Sequence, residues 1–115
     1  MKQLEIRKYL FDILHACELL RQFTAEKTLA DYTADPLLRS AVERQFEIIG
    51  EALAQALRLS PELADRITDT ARIIAFRNRL IHGYTSIADD IVWGVLESNL
   101  PTLHREVTTL LNKAD

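Results

Sequence analysis

A chain of 115 residues with a net charge of −3 is long enough to bury a core of its own and too acidic to coat nucleic acid by bulk electrostatics. Its one cysteine, Cys17, excludes an internal disulfide and reads as a small buried hydrophobe, a pattern that fits a reducing cytoplasm. No stretch approaches the roughly 20 apolar residues of a membrane span, and the mixed charges of Lys2 to Glu5 do not make a secretory leader, so a soluble cytoplasmic protein without membrane association is expected.

Three glycines and three prolines leave little punctuation, and alternating β-branched runs are absent, so residues 1–115 read as one all-helical domain. The first helix is predicted from Lys2 to Phe23. Ile6, Tyr9, Leu10, Ile13, Leu14, Cys17, Leu20 and Phe23 recur at helical spacing and give it one broad apolar face. Thr24 to Asp35 is a connector with a short helical turn at Leu29 to Tyr32. Asp35 and Pro36 start the second long helix, because aspartate caps a helix N-terminus and proline at the first helical position forfeits no hydrogen bond. That helix is expected to reach Leu59, with Leu38, Val42, Phe46, Ile49, Leu53 and Leu57 as its apolar stripe and Gly50 permitting close approach of a neighbour. Glu43, Glu47 and Glu51 form a carboxylate row, read as a solvated face or, alternatively, as partners for arginines across a subunit interface.

Ser60-Pro61-Glu62 opens a third region by the same capping logic and carries a short helical piece to Ile67. Thr68-Asp69-Thr70 is a second cap, restarting the helix through Ala71, Ile74, Asn78 and Ile81, and Gly83 is placed to end it in a left-handed conformation. Thr85-Ser86 then caps a fourth helix with Ile87, Ile91, Val95 and Leu96. Pro101 is expected to stop or kink it, leaving Thr102 to Asn112 as a last helical segment. Four to five amphipathic helices with short connections predict an antiparallel up-and-down bundle.

Usable chemistry is concentrated in Arg77-Asn78-Arg79-Leu80-Ile81-His82-Gly83-Tyr84. Arginine outnumbers lysine ten to four, and Arg66, Arg72, Arg77 and Arg79 crowd into this region while the segment beyond Tyr84 is mainly acidic. Histidine is the side chain suited to acid–base work near neutral pH, and the guanidinium fork matches a phosphate. An Arg/His pair suits metal-independent attack on a phosphodiester, for which RNA supplies its own 2′-hydroxyl nucleophile. On an ideal helix, at about 100° per residue, Arg77 and His82 lie about 140° apart, whereas Asn78 and His82 share a face. Either the long arginine reaches round, or two copies complete one site across a twofold axis; the dimer is the reading adopted. Singly, these residues have ordinary explanations: a surface salt bridge for Arg77, helix packing for Asn78, a loop anchor for Tyr84. His15 and His104 are read as structural or exposed.

Together, Arg77-Asn78-x-Leu80-x-His82-x-Tyr84 resembles the signature of the HEPN superfamily in the His-x-Tyr form found in HepT toxins. Phe46-Glu47-Ile48-Ile49-Gly50-Glu51-Ala52 is similar to that family's Ile-Gly-Glu-Ala helix, and Ile91-Val92-Trp93 with Leu100-Pro101-x-Leu103 resembles its C-terminal pattern. The resemblance implies an all-α, HEPN-like homodimer acting as a ribonuclease toxin of a type VII-like toxin–antitoxin module on transfer RNA or messenger RNA. By position, Arg77 would stabilise charge on the scissile phosphate, His82 would be general acid or base, and Asn78 and Arg79 would orient the histidine or contact RNA. It also implies a minimal nucleotidyltransferase antitoxin that transfers AMP to Tyr84, with ATP serving that partner as AMP donor and no metal or cofactor belonging to the toxin itself. The competing reading is a non-catalytic substrate-binding subunit of a two-component nucleotidyltransferase.

Overall fold

The computed structural model describes residues 2–83 and 87–113. Five helices and one 3-10 turn account for nearly all of them, and no strand occurs among the described residues. Helix α1 spans Lys2–Thr24, α2 Leu29–Ala34, α3 Pro36–Leu59, α4 Thr70–Ile81 and α5 Asp89–Asn112, with the 3-10 turn at Pro61–Asp65 between α3 and α4. The result is an all-helical bundle. None of the described helices is long and apolar enough to cross a membrane.

The first half follows its local signals. The Asp35 carboxylate accepts the backbone N–H groups of Leu37 at 3.0 Å and Leu38 at 3.2 Å, so α3 starts where an N-cap followed by proline should start it. In α2, Thr28 and Asp31 form a reciprocal capping box, the threonine hydroxyl accepting from Asp31 N–H and the aspartate accepting from Thr28 N–H. This six-residue helix is anchored by Tyr32, which is fully buried and packs 5.5 Å from the Trp93 ring of α5.

Helix α3 is the centre of the bundle. It packs on α1, α2 and α4, and α5 closes over α1 and α2. Ile13, Cys17, Leu20, Val42, Ile49, Leu53, Val92 and Val107 are almost wholly removed from solvent. Cys17 is the buried hydrophobe its apolar row predicts, and burial pushes its thiol up to about 12.

Four local expectations are corrected. Ser60 makes no side-chain cap; its hydroxyl donates to Glu62 Oε1 at 2.7 Å, and the turn that follows is 3-10. Asp69 precedes α4 in a left-handed conformation (φ 59°) and does not cap it through its side chain. Instead Thr68 donates its N–H and its hydroxyl to the Glu106 carboxylate of α5, at 2.8 and 2.7 Å, so a tertiary contact fixes the approach to α4. None of the described glycines has a positive φ, so Gly83 does not close α4 in the left-handed form; His82 is the C-cap, donating its N–H to Asn78 O at 2.9 Å. Finally, α5 runs unbroken through Pro101. Proline there removes one intrahelical donor, but the residue is exposed and the freed carbonyl can be satisfied by water. Thr85 and Ser86 lie outside the described residues, but α5 starts after the place expected of them: its N-cap is Ala88, with no side-chain cap, and Ile87 is buried just ahead of the helix.

Candidate functional site

The motif lies on α4, the one described helix with no fully buried residue. Ile73, Ile74, Phe76 and Leu80 are half-covered. It rests on α3 through the edge-on contact of Phe76 with Phe46, whose ring centroids are 5.2 Å apart. On the other side an open groove of about 280 Å3 separates it from α5, with Ile73, Phe76, Val95, Leu100 and Leu103 in its walls and Arg72 and Arg79 among its lining residues.

At the C-terminal end of α4, Asn78, Arg79, His82 and Gly83 line an open depression of about 350 Å3. All four are exposed. Helical register continues into the cap through the His82 N–H to Asn78 O bond, which is why the two side chains share a face. Imidazole, guanidinium and carboxamide therefore border one solvent-facing depression. A guanidinium and an amide can bind a phosphate there, while the imidazole can exchange a proton.

Arg77 does not line this depression. Its side chain is turned toward α3 and is 17 % exposed, as the 140° separation from His82 requires. The stem lies across Gly50: a Cβ at position 50 would overlap Arg77 Cβ and come within 2.6 Å of its Cγ. The close approach expected at Gly50 is thus real, and the group that approaches is the arginine of the motif. Arg77 Nη2 stands 3.5 Å from Glu51 Oε1, and Arg77 Nε is buried without a hydrogen-bond partner among the described residues.

The carboxylate row on α3 divides accordingly. Glu51 meets Arg77 within the same chain, Glu47 pairs with Arg44 at 3.3 Å, and Glu43 is partly covered, its carboxyl raised by desolvation and by Glu47 and Asp89. Glu51 is the contributor that sequence reasoning missed. Its signal was present in the row, but nothing in sequence places a residue of α3 opposite a residue of α4. His15 is exposed, and His104 is half-buried with Nε2 3.6 Å from Glu18 Oε2, in keeping with structural or surface roles. Tyr84 lies outside the described residues. Among those described, no cluster of three or more histidine, cysteine or acidic side chains could hold a metal ion.

A helical bundle that presents arginine, asparagine and histidine at one helix end has the side chains for handling a phosphodiester. A family model described as ribonuclease HepT-like matches residues 13–110, and the chain belongs to that family. It is 32% identical over 107 residues to a candidate RNase of Caldanaerobacter subterraneus, covering 93% of this chain and 95% of that one. It is 36% identical over 101 residues to a candidate ribonuclease HepT of Thermococcus cleftensis, covering 84% and 87% of the two chains. A candidate RNase of Methanocaldococcus jannaschii is 26% identical over 109 residues, covering 93% and 97%. No solved structure matches the chain.

Proposed function

We propose that the chain is a metal-independent endoribonuclease that works as a homodimer and acts as a toxin in the cytoplasm. The observation that carries this reading is the grouping of Asn78, Arg79 and His82 around one open depression, with Arg77 on the same turn of helix. In the proposed reaction the 2′-hydroxyl oxygen of RNA attacks the adjacent phosphorus and the bond to the 5′-oxygen breaks. One His82 takes the proton from the hydroxyl, and the His82 of the second protomer supplies a proton to the leaving oxygen. Arg77 stabilises the charge that develops on the phosphate, and Asn78 and Arg79 hold the flanking RNA.

The opposed directions of Arg77 and His82 in one chain support the dimer, since a twofold axis could set one chain's arginine beside the other's histidine. Ile81 and Ile91, 48% and 46% exposed, and the groove between α4 and α5 offer apolar surface for that contact.

The antitoxin in this reading is a minimal nucleotidyltransferase that moves AMP from ATP to Tyr84. Tyr84 is bonded to Gly83, which lines the depression, so the added phosphate would bring negative charge to the place where a substrate phosphate binds. The substrate is transfer RNA or messenger RNA.

Expression of the chain alone should arrest growth, and total RNA incubated with it in excess chelator should be cut. His82→Ala should abolish both. Absence of cleavage by the intact chain, together with a stable complex with the nucleotidyltransferase, would instead establish a non-catalytic binding subunit. Intact-mass measurement with the partner and ATP should show added AMP that is lost in Tyr84→Phe.

A further inference from the structure

We infer that Glu51 is a positioning residue for Arg77, and that Gly50, Glu51 and Gln55 form a cradle on α3 that aims the guanidinium before RNA arrives. This rests on the reading of Arg77 as the phosphate-binding arginine.

Each part of the cradle removes one freedom of a long side chain. Gly50 has no Cβ, so the Arg77 stem lies flat on the backbone of α3, a place that any larger residue would occupy itself. The stem is consequently covered, and Nε is sealed from solvent with no hydrogen-bond partner among the described residues. The free choice left to the group is where its terminal nitrogens point. Glu51 Oε1, 3.5 Å from Nη2, settles that direction.

The carboxylate is itself held. Gln55, one turn further along α3, donates from Nε2 to Glu51 Oε2 at 2.9 Å, leaving Oε1 to face the arginine. The relay Gln55 to Glu51 to Arg77 thus runs along one edge of α3 and ends at the motif. Glu47, one turn earlier, is occupied by Arg44. Because the Glu51 side chain is 56% exposed, water screens the pair and it contributes little to holding the fold. Its consequence is orientation, which matters for an electrostatic catalyst because a group already aimed at the developing charge needs no rearrangement during reaction.

Glu51→Gln tests this, since it keeps the size of the side chain while removing its charge and replacing one of its two acceptor oxygens with a donor. At saturating total RNA, the cleavage rate should fall about tenfold to 100-fold, the scale of a misplaced catalytic group. The RNA concentration giving half-maximal rate should change less than about threefold, and the melting temperature should stay within a few degrees. Glu51→Asp should restore part of the rate. In an Arg77→Ala background Glu51→Gln should cost nothing further, because residues acting as a unit are not additive. An unchanged or increased rate for Glu51→Gln, or an equal further loss in the Arg77→Ala background, overturns the proposal; an increase would make Glu51 a lock on the arginine.

A second measurement needs no cleavage. Labelling by phenylglyoxal, read by peptide mass, should be slow at Arg77 in the intact chain and several-fold faster in Glu51→Gln and Gly50→Ala. Equal labelling at Arg77 in the intact chain and Glu51→Gln refutes the cradle whatever the activity. Protected labelling that is lost in Glu51→Gln, in a chain that cuts no RNA, supports the cradle and refutes the nuclease reading.

Discussion

Helices α3 and α4 lie against each other yet are built on opposite plans. The first buries a continuous stripe from Leu38 through Val42, Phe46, Ile49 and Leu53 to Ala56, whereas the second fully buries no residue and keeps Asn78, Arg79 and His82 in water. Burial on three sides makes α3 the part of the molecule from which the others take their positions. A helix packed mainly on one neighbour can keep its polar groups solvated and accessible, which is what binding a charged polymer needs. The difference separates the residues that hold the bundle together from those that give it chemistry, and Arg77 is where the two plans touch.

Substitutions can break or sharpen that contrast. The largest effect on stability is expected at Leu53, which is fully buried: Leu53→Ala should cost about 2–5 kcal/mol in urea unfolding followed by circular dichroism. Glu106→Ala should cost about 0.5–1.5 kcal/mol in the same measurement, because it removes two hydrogen bonds from exposed Thr68 where α5 fixes the approach to α4, and water takes up the released donors. Asp35→Ala, which removes the cap shared by Leu37 and Leu38, should cost about 1 kcal/mol. His82→Ala should change stability by less than about 0.5 kcal/mol, since the residue is exposed, while removing RNA cleavage. A stability loss at His82 as large as that at Leu53 would erase the proposed division.

The smallest effect concerns pH. The Thr28 backbone N–H, helped by the Thr28 hydroxyl, holds the Asp31 carboxyl below the ordinary aspartate value. A folded-state pKa depressed in this way contributes stability that is fully present above the ordinary value and is lost as pH falls through the folded one. Acid unfolding of Asp31→Asn should therefore lack a small downward step that the unaltered chain shows below the ordinary aspartate range.

Much of the fold was legible because its signals are local. The apolar periodicity of α1, the Asp35-Pro36 start of α3 and the hydrophobic character of Cys17 depend on neighbours within a turn or two, and the structure keeps them. Ser60, Asp69 and Gly83 show where local reasoning failed. Each stands at or just beyond a helix boundary where one was expected, but none makes the cap its residue type suggests: Ser60 bonds Glu62, Thr68 beside Asp69 bonds Glu106 of α5, and His82 takes the cap ahead of Gly83. Pro101 does not stop α5, since α5 packs on both α1 and α2 and the loss of one hydrogen bond is offset by that burial. Tyr32 was legible as part of a helical turn, but its complete burial against Trp93 was not, because Trp93 belongs to a distant helix.

By itself the sequence determined the class of bundle, the helix that carries the Arg77 to His82 motif and, through a 3.6-residue repeat, the opposed directions of its arginine and histidine. Only tertiary structure decided what Arg77 faces. The pairing of Gly50 and Glu51 with that arginine depends on how α4 lies across α3, and a helix crossing is set by the fit of whole surfaces, not by any signal within one turn.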